Sequence, residues 1–289
     1  MIHGTLLLDK PANISSNRVL SIIKKKLSIK KAGIVGILDP LATGMLPIVL
    51  NEATKLSKYI ESYEKEYNVI AHLGYTSSTG DHEGVLTPSN KSISTISKDM
   101  ILDIVKSFHG EQMQVPPMHS ALKVNGTKLY KLARQGITID RKPRKINISR
   151  IAFNSLINNF LSLTITCSKG TYIRTLIESI GEQIGIGAFT HSLRRTRIGN
   201  LLQENMLNLD DLPDLIPEKL VTLKNMIDNI DFVSINNDDV VKIRKGQLIY
   251  TNEYENHNDI AIFNISHNLI GLGKIIDSYI HPKRLINFD

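Results

Sequence analysis

The stretch from Leu161 to Ile184 constrains the fold of this chain more than any other. Leu161 to Cys167 is an apolar, strand-like run, and Ile173, Leu176, Ile177, Ile180 and Ile184 follow at helical spacing. Residues three and four apart share one face of a helix, so that stripe has to be buried. A strand followed at once by an amphipathic helix puts both kinds of element in the core. The same two patterns recur along the chain. Thr5 to Leu8 reads as a short strand ending at Lys10-Pro11, and Tyr67, Val69, Ala71 and Leu73 alternate along another. Ser15 and Ser16 can cap a helix carrying Val19, Ile22, Ile23 and Leu27. Ser97 can cap one carrying Ile101, Ile104, Val105 and Phe108, closed by Gly110. Gly33 to Leu38 is expected to be a strand stopped by Asp39-Pro40, and Thr76 to Asn90 a polar loop. Ala261 to Ile265 and Leu269 to Ile276 flank the turn Ser266-His267-Asn268 and read as a β-hairpin.

With 289 residues, 42% hydrophobic and 22% charged, the chain can build a sizeable core and does not have the composition of a disordered one. Apolar runs such as Met45 to Leu50 fall far short of the roughly 18 residues that span a bilayer. The N-terminus lacks the basic region and apolar run of a signal peptide. Cys167 is the single cysteine, which excludes an intramolecular disulfide and a thiolate-rich zinc site. These features predict a soluble cytoplasmic protein. The acidic stretch around Asp210 to Asn237, with Pro213 and Pro217, is the expected boundary. It would separate a main domain over residues 1–230 from a small β-rich module over residues 231–289.

Charge is unevenly placed. Lys10 to Leu38 holds seven basic residues and no acid, and Lys123 to Arg150 holds nine with one acid, Asp140. Cations gathered in this way can form a phosphate-binding face. On charge alone, solvated lysine-rich helix faces are an equal account. The nine histidines contain no His-x-x-x-His pair, and no glycine-rich phosphate loop is present, so metal chemistry is not expected.

Asp39 lies in Gly36-Ile37-Leu38-Asp39-Pro40-Leu41-Ala42-Thr43-Gly44-Met45-Leu46-Pro47. A carboxylate held there by apolar walls would be a preorganised nucleophile or base, although Asp-Pro is also an ordinary turn pair. Cys167-Ser168-Lys169-Gly170-Thr171-Tyr172-Ile173-Arg174-Thr175-Leu176 runs from strand into helix. Ile173 belongs to the buried stripe, so Tyr172 and Arg174 are expected off it, near a helix start that Lys169 and Arg174 suit to anions. An arginine bonded to Asp39 would keep that carboxylate ionised and oriented.

These two segments resemble signature motifs of the bacterial tRNA pseudouridine-55 synthases of the TruB type. Leu6-Leu7-Leu8-Asp9-Lys10-Pro11 is similar to that family's opening motif, and Lys65-Glu66-Tyr67 to its tyrosine motif. Pro116 to Lys123, Gly126 to Arg134 and Leu193-Arg194-Arg195 resemble later ones, all in the family's order. The resemblance implies an α+β pseudouridine synthase fold: a mixed, largely antiparallel sheet flanked by helices, with a small C-terminal PUA-like RNA-binding module. It implies that Asp39 is the catalytic aspartate and Arg174 its ion-pair partner. By the same resemblance Tyr67 stacks on the target base and can share in proton removal, Tyr172 and Leu193 line the uridine pocket, and Lys10 and Pro11 shape its floor. Ile34, Lys169, Lys123 and Arg134 are the further expected RNA contacts.

The implied reaction isomerises uridine 55 in the T loop of tRNA to pseudouridine after the base is flipped out. It consumes nothing, so no cofactor or metal is required, and the tRNA T arm is the expected partner of a stand-alone monomer. The chain departs from the family where Ala32-Gly33-Ile34-Val35-Gly36 replaces Ala-Gly-His-Thr-Gly, so Ile34 can offer only apolar contact to the opened loop. It also has Ser78 where an aspartate is usual. A non-catalytic tRNA-binding or folding protein derived from such a synthase is the alternative, and a guide-RNA-dependent synthase a second.

Overall fold

The computed structural model describes residues 2–212, 216–227, 229–251 and 255–287. β1 (Gly4–Lys10) leads into α1 (Ser16–Lys26), then β2 (Ala32–Ile34), β3 (Thr43–Leu50), α2 (Ser57–Ser62) and β4 (Lys65–Leu73). A hairpin of β5 (Tyr75–Ser77) and β6 (Leu86–Pro88) precedes α3 (Lys98–Ser107) and β7 (Gly110–Gln114). A second hairpin, β8 (Lys123–Val124) and β9 (Thr127–Lys128), runs into α4 (Leu129–Arg134). β10 (Arg144–Ile157), β11 (Phe160–Cys167), α5 (Ile173–Ile184) and β12 (Ala188–Ile198) follow. After α6 (Ile216–Lys219) come β13 (Phe232–Ile235), α7 (Asn237–Arg244), β14 (Ile249–Tyr250), β15 (His257–Asn264), β16 (Leu269–Ile276) and β17 (Tyr279–Leu285).

Among the described residues, eight strands form one sheet in the order β1-β3-β12-β4-β11-β10-β7, with β2 paired to β3. β12 runs parallel to β3, and every other pairing in that sheet is antiparallel. This is the mixed, largely antiparallel α+β sheet expected. Val19 and Ile23 of α1, Ile101 and Val105 of α3, and the Ile173 to Ile184 stripe of α5 cover one face in a single apolar cluster. The run Met45 to Leu50 is apolar without alternation because both of its faces are covered. Leu46, Ile48 and Leu50 enter that cluster, while Met45 and Val49 join Leu7 in a second one.

The second cluster is closed by Ala261, Phe263, Leu272 and Ile286. These belong to or adjoin a five-stranded sheet in the order β13-β15-β16-β17-β14. The hairpin expected over residues 261–276 is β15 and β16 of that sheet. Pro217 falls in α6; Pro213 lies outside the described residues.

Three local expectations are corrected, and one strand is added. The strand over Gly33 to Leu38 ends at Ile34. Gly36 turns the chain at φ +69°, and the Ser16 hydroxyl replaces ladder bonds by donating to the Leu38 carbonyl at 2.8 Å and accepting from its N–H at 3.0 Å. The polar loop over Thr76 to Asn90 contains the β5–β6 hairpin, in which the Ser78 hydroxyl accepts from the Val85 N–H at 2.9 Å. Gly110 opens β7 rather than closing α3, which ends at Ser107. β12, unexpected from the sequence, lies at the centre of the main sheet.

Glu52 ties the end of the chain to the main sheet. Its carboxylate accepts from Lys31 at 3.0 Å, from Lys55 at 2.5 Å and from the Asn287 N–H at 2.8 Å. Burial opposes its ionisation, but the bonds from Lys55, Asn287 and Lys31 outweigh burial and hold the carboxyl at about 2, below its ordinary 4.5. A depressed carboxyl contributes stability that is present above its ordinary value and lost as pH falls through the folded one. Glu52→Gln is therefore expected to lower the melting temperature at pH 6. It should also flatten the fall in melting temperature between pH 5 and pH 3; an unchanged slope would remove Glu52 from this role.

Candidate active site

The site is assembled from three backbone segments that meet at the start of α5. β7 positions that start: Gln114 Oε1 accepts from the Tyr172 N–H at 2.8 Å, and its amide donates to the Tyr172 carbonyl at 3.0 Å. Arg174, the second residue of α5, is 5% exposed. It points away from the apolar stripe toward Asp39, as the sequence suggests, but is buried there because the polar loop and the segment around His119 enclose it. Its Nε lies 2.9 Å from Asp39 Oδ2. Nη1 donates to the Thr79 carbonyl at 2.7 Å and to Asp81 at 3.3 Å, and Nη2 donates to the His119 carbonyl at 2.7 Å. A planar guanidinium suits this, because one amine cannot serve four acceptors in those directions.

Asp39 sits on the loop between β2 and β3. Its carboxyl opens to a cavity of about 360 Å³ that Arg174, Ser120, Lys128, Tyr130 and Arg134 also line. Burial pushes the Asp39 carboxyl up from its ordinary value, Arg174 pulls it down, and Asp81 pushes it up again. The net direction is upward, and the cation that opposes it is one that Asp39 shares with a second acid. Asp81 was not singled out in the sequence. It is 3% exposed, accepts from the Thr79 hydroxyl at 2.6 Å and from the Glu83 N–H at 3.1 Å.

Lys10 is fully buried, and its ammonium donates to the carbonyls of Pro11, Ile14 and Pro40 at 2.8, 2.8 and 3.0 Å. Burial lowers it to about 8, while Asp39 and Glu83 act to raise it. Expected as the floor of the pocket, Lys10 staples the end of β1 to the residue after Asp39. Tyr67 and Leu193 are 8% and 7% exposed and belong to the main apolar cluster. Tyr67 is brought to the Asp39 side of the sheet, and burial raises its phenol while Arg195 opposes the shift. Tyr172 is half-buried beside Ser120. Ile34 is half-buried, pairs with Ile48 across the β2–β3 ladder and packs on the main cluster.

Of the other expected contacts, Arg134 lines the Asp39 cavity and lies 5.6 Å over the Tyr130 ring, with Lys128 at 5.7 Å from the same ring. Lys123 and Lys169 are exposed and do not line that cavity. Cys167 is buried and its thiol is pushed up to about 12, which suits a packing residue rather than a nucleophile. Among the described residues, no group of three or more His, Cys, Asp or Glu side chains could hold a metal ion. No helix among them is long and apolar enough to cross a membrane.

This fold has counterparts. A protein of the crystal structure of a Cbf5–Nop10–Gar1 complex superposes with a TM-score of 0.75 at 25% identity, covering 98% of this chain and 84% of that one. The family model described as TruB family pseudouridylate synthase, N-terminal domain, matches residues 24–173, which carry Asp39, Tyr67 and the β11–α5 junction. The mixed sheet with its small β-rich module, and the family model over residues 24–173, thus make this the fold of a pseudouridine synthase, an isomerase.

Two further models, described as tRNA pseudouridylate synthase B C-terminal domain and pseudouridine synthase II TruB, C-terminal, match residues 174–233 and 233–286. Full-length relatives carry the name tRNA pseudouridine synthase B. The one from Nitrosococcus oceani is 40% identical over 293 residues, covering 99% of this chain and 95% of that protein. The one from Marinomonas is 39% identical over 296 residues, covering 99% and 96%. With matches that span it from end to end, the chain belongs to the TruB family of tRNA pseudouridine synthases.

Proposed function

We propose that this chain isomerises uridine 55 in the T loop of tRNA to pseudouridine, with Asp39 as the catalytic aspartate. The observation that carries this reading is Asp39 itself: it faces a cavity and is ion-paired at 2.9 Å to an arginine that is otherwise buried. The uridine is flipped into the cavity, its N1–C1′ bond breaks, and the base turns so that C5 joins C1′. The proton lost from C5 is balanced by one gained at N1, so the composition of the RNA is unchanged and nothing need be supplied. Asp39 acts as the carboxylate, which Arg174 favours against burial. Tyr67 offers the base a ring face, a contact of about 1–3 kcal/mol in single-stranded recognition. Tyr172 and Leu193 bound the uracil, Lys10 holds the loop, and Arg134 with Lys128 meets phosphate at the cavity mouth; Lys123 and Lys169 extend that basic surface. Residues 231–289 act as an RNA-binding module behind residues 1–230. The protein works on the T arm as a monomer in the cytoplasm, without an obligatory protein partner.

Incubation of the purified chain with unmodified tRNA and no additive tests this, followed by mapping of pseudouridine. One modified position in the T loop is expected. Tight tRNA binding without product would replace this reading by a non-catalytic tRNA-folding role.

Ile34 carries a smaller expectation. A histidine there could hydrogen-bond within the opened T loop, and because Ile34 is half-buried its ring edge would still reach solvent. Val35 is 3% exposed in the second cluster, so threonine there would bury a hydroxyl, and the single substitution is the informative one. Ile34→His should tighten capture of intact T arm severalfold, as expected from one hydrogen bond of about 0.5–1.5 kcal/mol. An RNA whose target uridine is already exposed should show no gain. Equal effects on both RNAs would mean that the residue does not act on loop opening.

A further inference from the structure

We propose that Arg195 is a positioning residue for the reaction proposed above, holding the tyrosine strand and both ends of the Asp39 loop in one arrangement. The inference rests on that functional reading and on the sheet register. On β12, Arg195 is the residue paired with Gly44 of β3 on one side and with Tyr67 of β4 on the other. It therefore stands between the strand that leaves the Asp39 loop and the strand that carries Tyr67. Its side chain is 2% exposed. Nε donates to the Met45 carbonyl and Nη2 to the Gly36 carbonyl, each at 2.7 Å. Gly36 and Met45 bracket Asp39, so one guanidinium ties the entry of the loop to its exit.

A glycine on each side of Asp39 packs on Arg195, Gly44 against its backbone and Gly36 against its side chain. A Cβ on Gly44 would lie 2.2 Å from the Arg195 carbonyl oxygen, and one on Gly36 would lie 3.2 Å from Arg195 Nη1. Among the described residues Arg195 forms no ion pair with an acid, because its contacts are backbone carbonyls and the Tyr67 hydroxyl. A cation buried without a counterion is costly, a cost that carbonyl acceptors partly offset, and its charge acts on whatever titratable group lies beside it. Here the field falls on Tyr67, which also faces Cys167 and Asp39. Arg195 thus sets where the Tyr67 hydroxyl sits and favours negative charge near it. It touches no substrate in this account and acts through Tyr67 and the loop.

The test is a double-mutant cycle in the full chain. Single-turnover rate with saturating unmodified tRNA, tRNA dissociation constant and melting temperature are measured for wild type, Arg195→Lys, Tyr67→Phe and the double variant. Arg195→Lys should slow the single-turnover rate by about tenfold or more with the dissociation constant within about threefold. In the Tyr67→Phe background the same change should cost at least about threefold less than in wild type, leaving only the part that acts through the Asp39 loop. An equal loss in both backgrounds, or a loss confined to tRNA binding, would overturn the proposal. As a second readout, 3-fluorotyrosine placed at position 67 should titrate at higher pH in Arg195→Met than in wild type, and an unshifted titration would also overturn it. If Arg195→Met does not fold, the lysine cycle decides. If wild type forms no pseudouridine, the functional reading fails on its own, and the fluorine titration judges Arg195 separately.

Discussion

Asp39→Asn is expected to abolish pseudouridine formation while leaving the fold and tRNA binding in place. The amide is nearly isosteric with the carboxyl but carries no charge and can neither attack nor accept a proton with comparable strength. Loss of a catalytic carboxylate should lower single-turnover rate by about 10³-fold or more. The protein should not melt earlier, because burial already disfavours the Asp39 anion and Arg174 keeps Asp81 and two carbonyls as partners. The comparison is made at saturating tRNA, with binding measured separately. Turnover within tenfold of wild type, in a variant verified by sequencing, would remove Asp39 from the mechanism.

Arg174→Met should damage both stability and chemistry, and the two can be separated. Removing the guanidinium leaves two carboxylates close together, one of them 3% exposed, along with the Thr79 and His119 carbonyls that it now satisfies. Breaking a buried pair in this way costs about 3–5 kcal/mol, a fall in melting temperature on the order of 10 °C for a domain of this size. Arg174 is also the group that pulls the Asp39 carboxyl down against burial. Without it the carboxyl rises further, and activity that needs the anion appears only at higher pH. The acid limb of the pH–rate profile should therefore move to higher pH in Arg174→Met. Arg174→Lys keeps a charge but loses the planar fork, and should show a smaller shift with a large loss of rate. An unmoved acid limb with full activity in the surviving folded protein would show that Arg174 does not tune Asp39.

Parts of this molecule were legible before any coordinates. The β11–α5 junction follows from a period of two giving way to one of 3.6, and both patterns depend only on neighbours in sequence. The caps at Ser15 and Ser97 were visible for the same reason, since each hydroxyl accepts from an N–H three residues on. Motif order pointed to Asp39, Arg174 and Tyr67, which the fold brings to one side of the sheet. The central strand β12 was not legible. Arg194, Arg195, Thr196 and Arg197 give it the look of a polar surface segment, yet it pairs with β3 and β4 in the middle of the sheet. Gly33 to Leu38 erred in the opposite direction, an apolar run that leaves the sheet because Ser16 and Arg195 take up its backbone groups.

Sequence by itself determined the helix faces, the caps and the residues that carry the family's motifs, and through those motifs the mixed class, because those rest on local periodicity and on residue type. Tertiary structure alone decided that Lys10 and Arg195 are buried, that Asp81 shares Arg174 with Asp39, and that Glu52 fastens the last strand. The partners of those buried cations are mostly carbonyl oxygens: Pro11, Ile14 and Pro40 for Lys10, Gly36 and Met45 for Arg195, Thr79 and His119 for Arg174. Every residue offers the same carbonyl, so no pattern of side chains records which ones will turn inward to hold a charge.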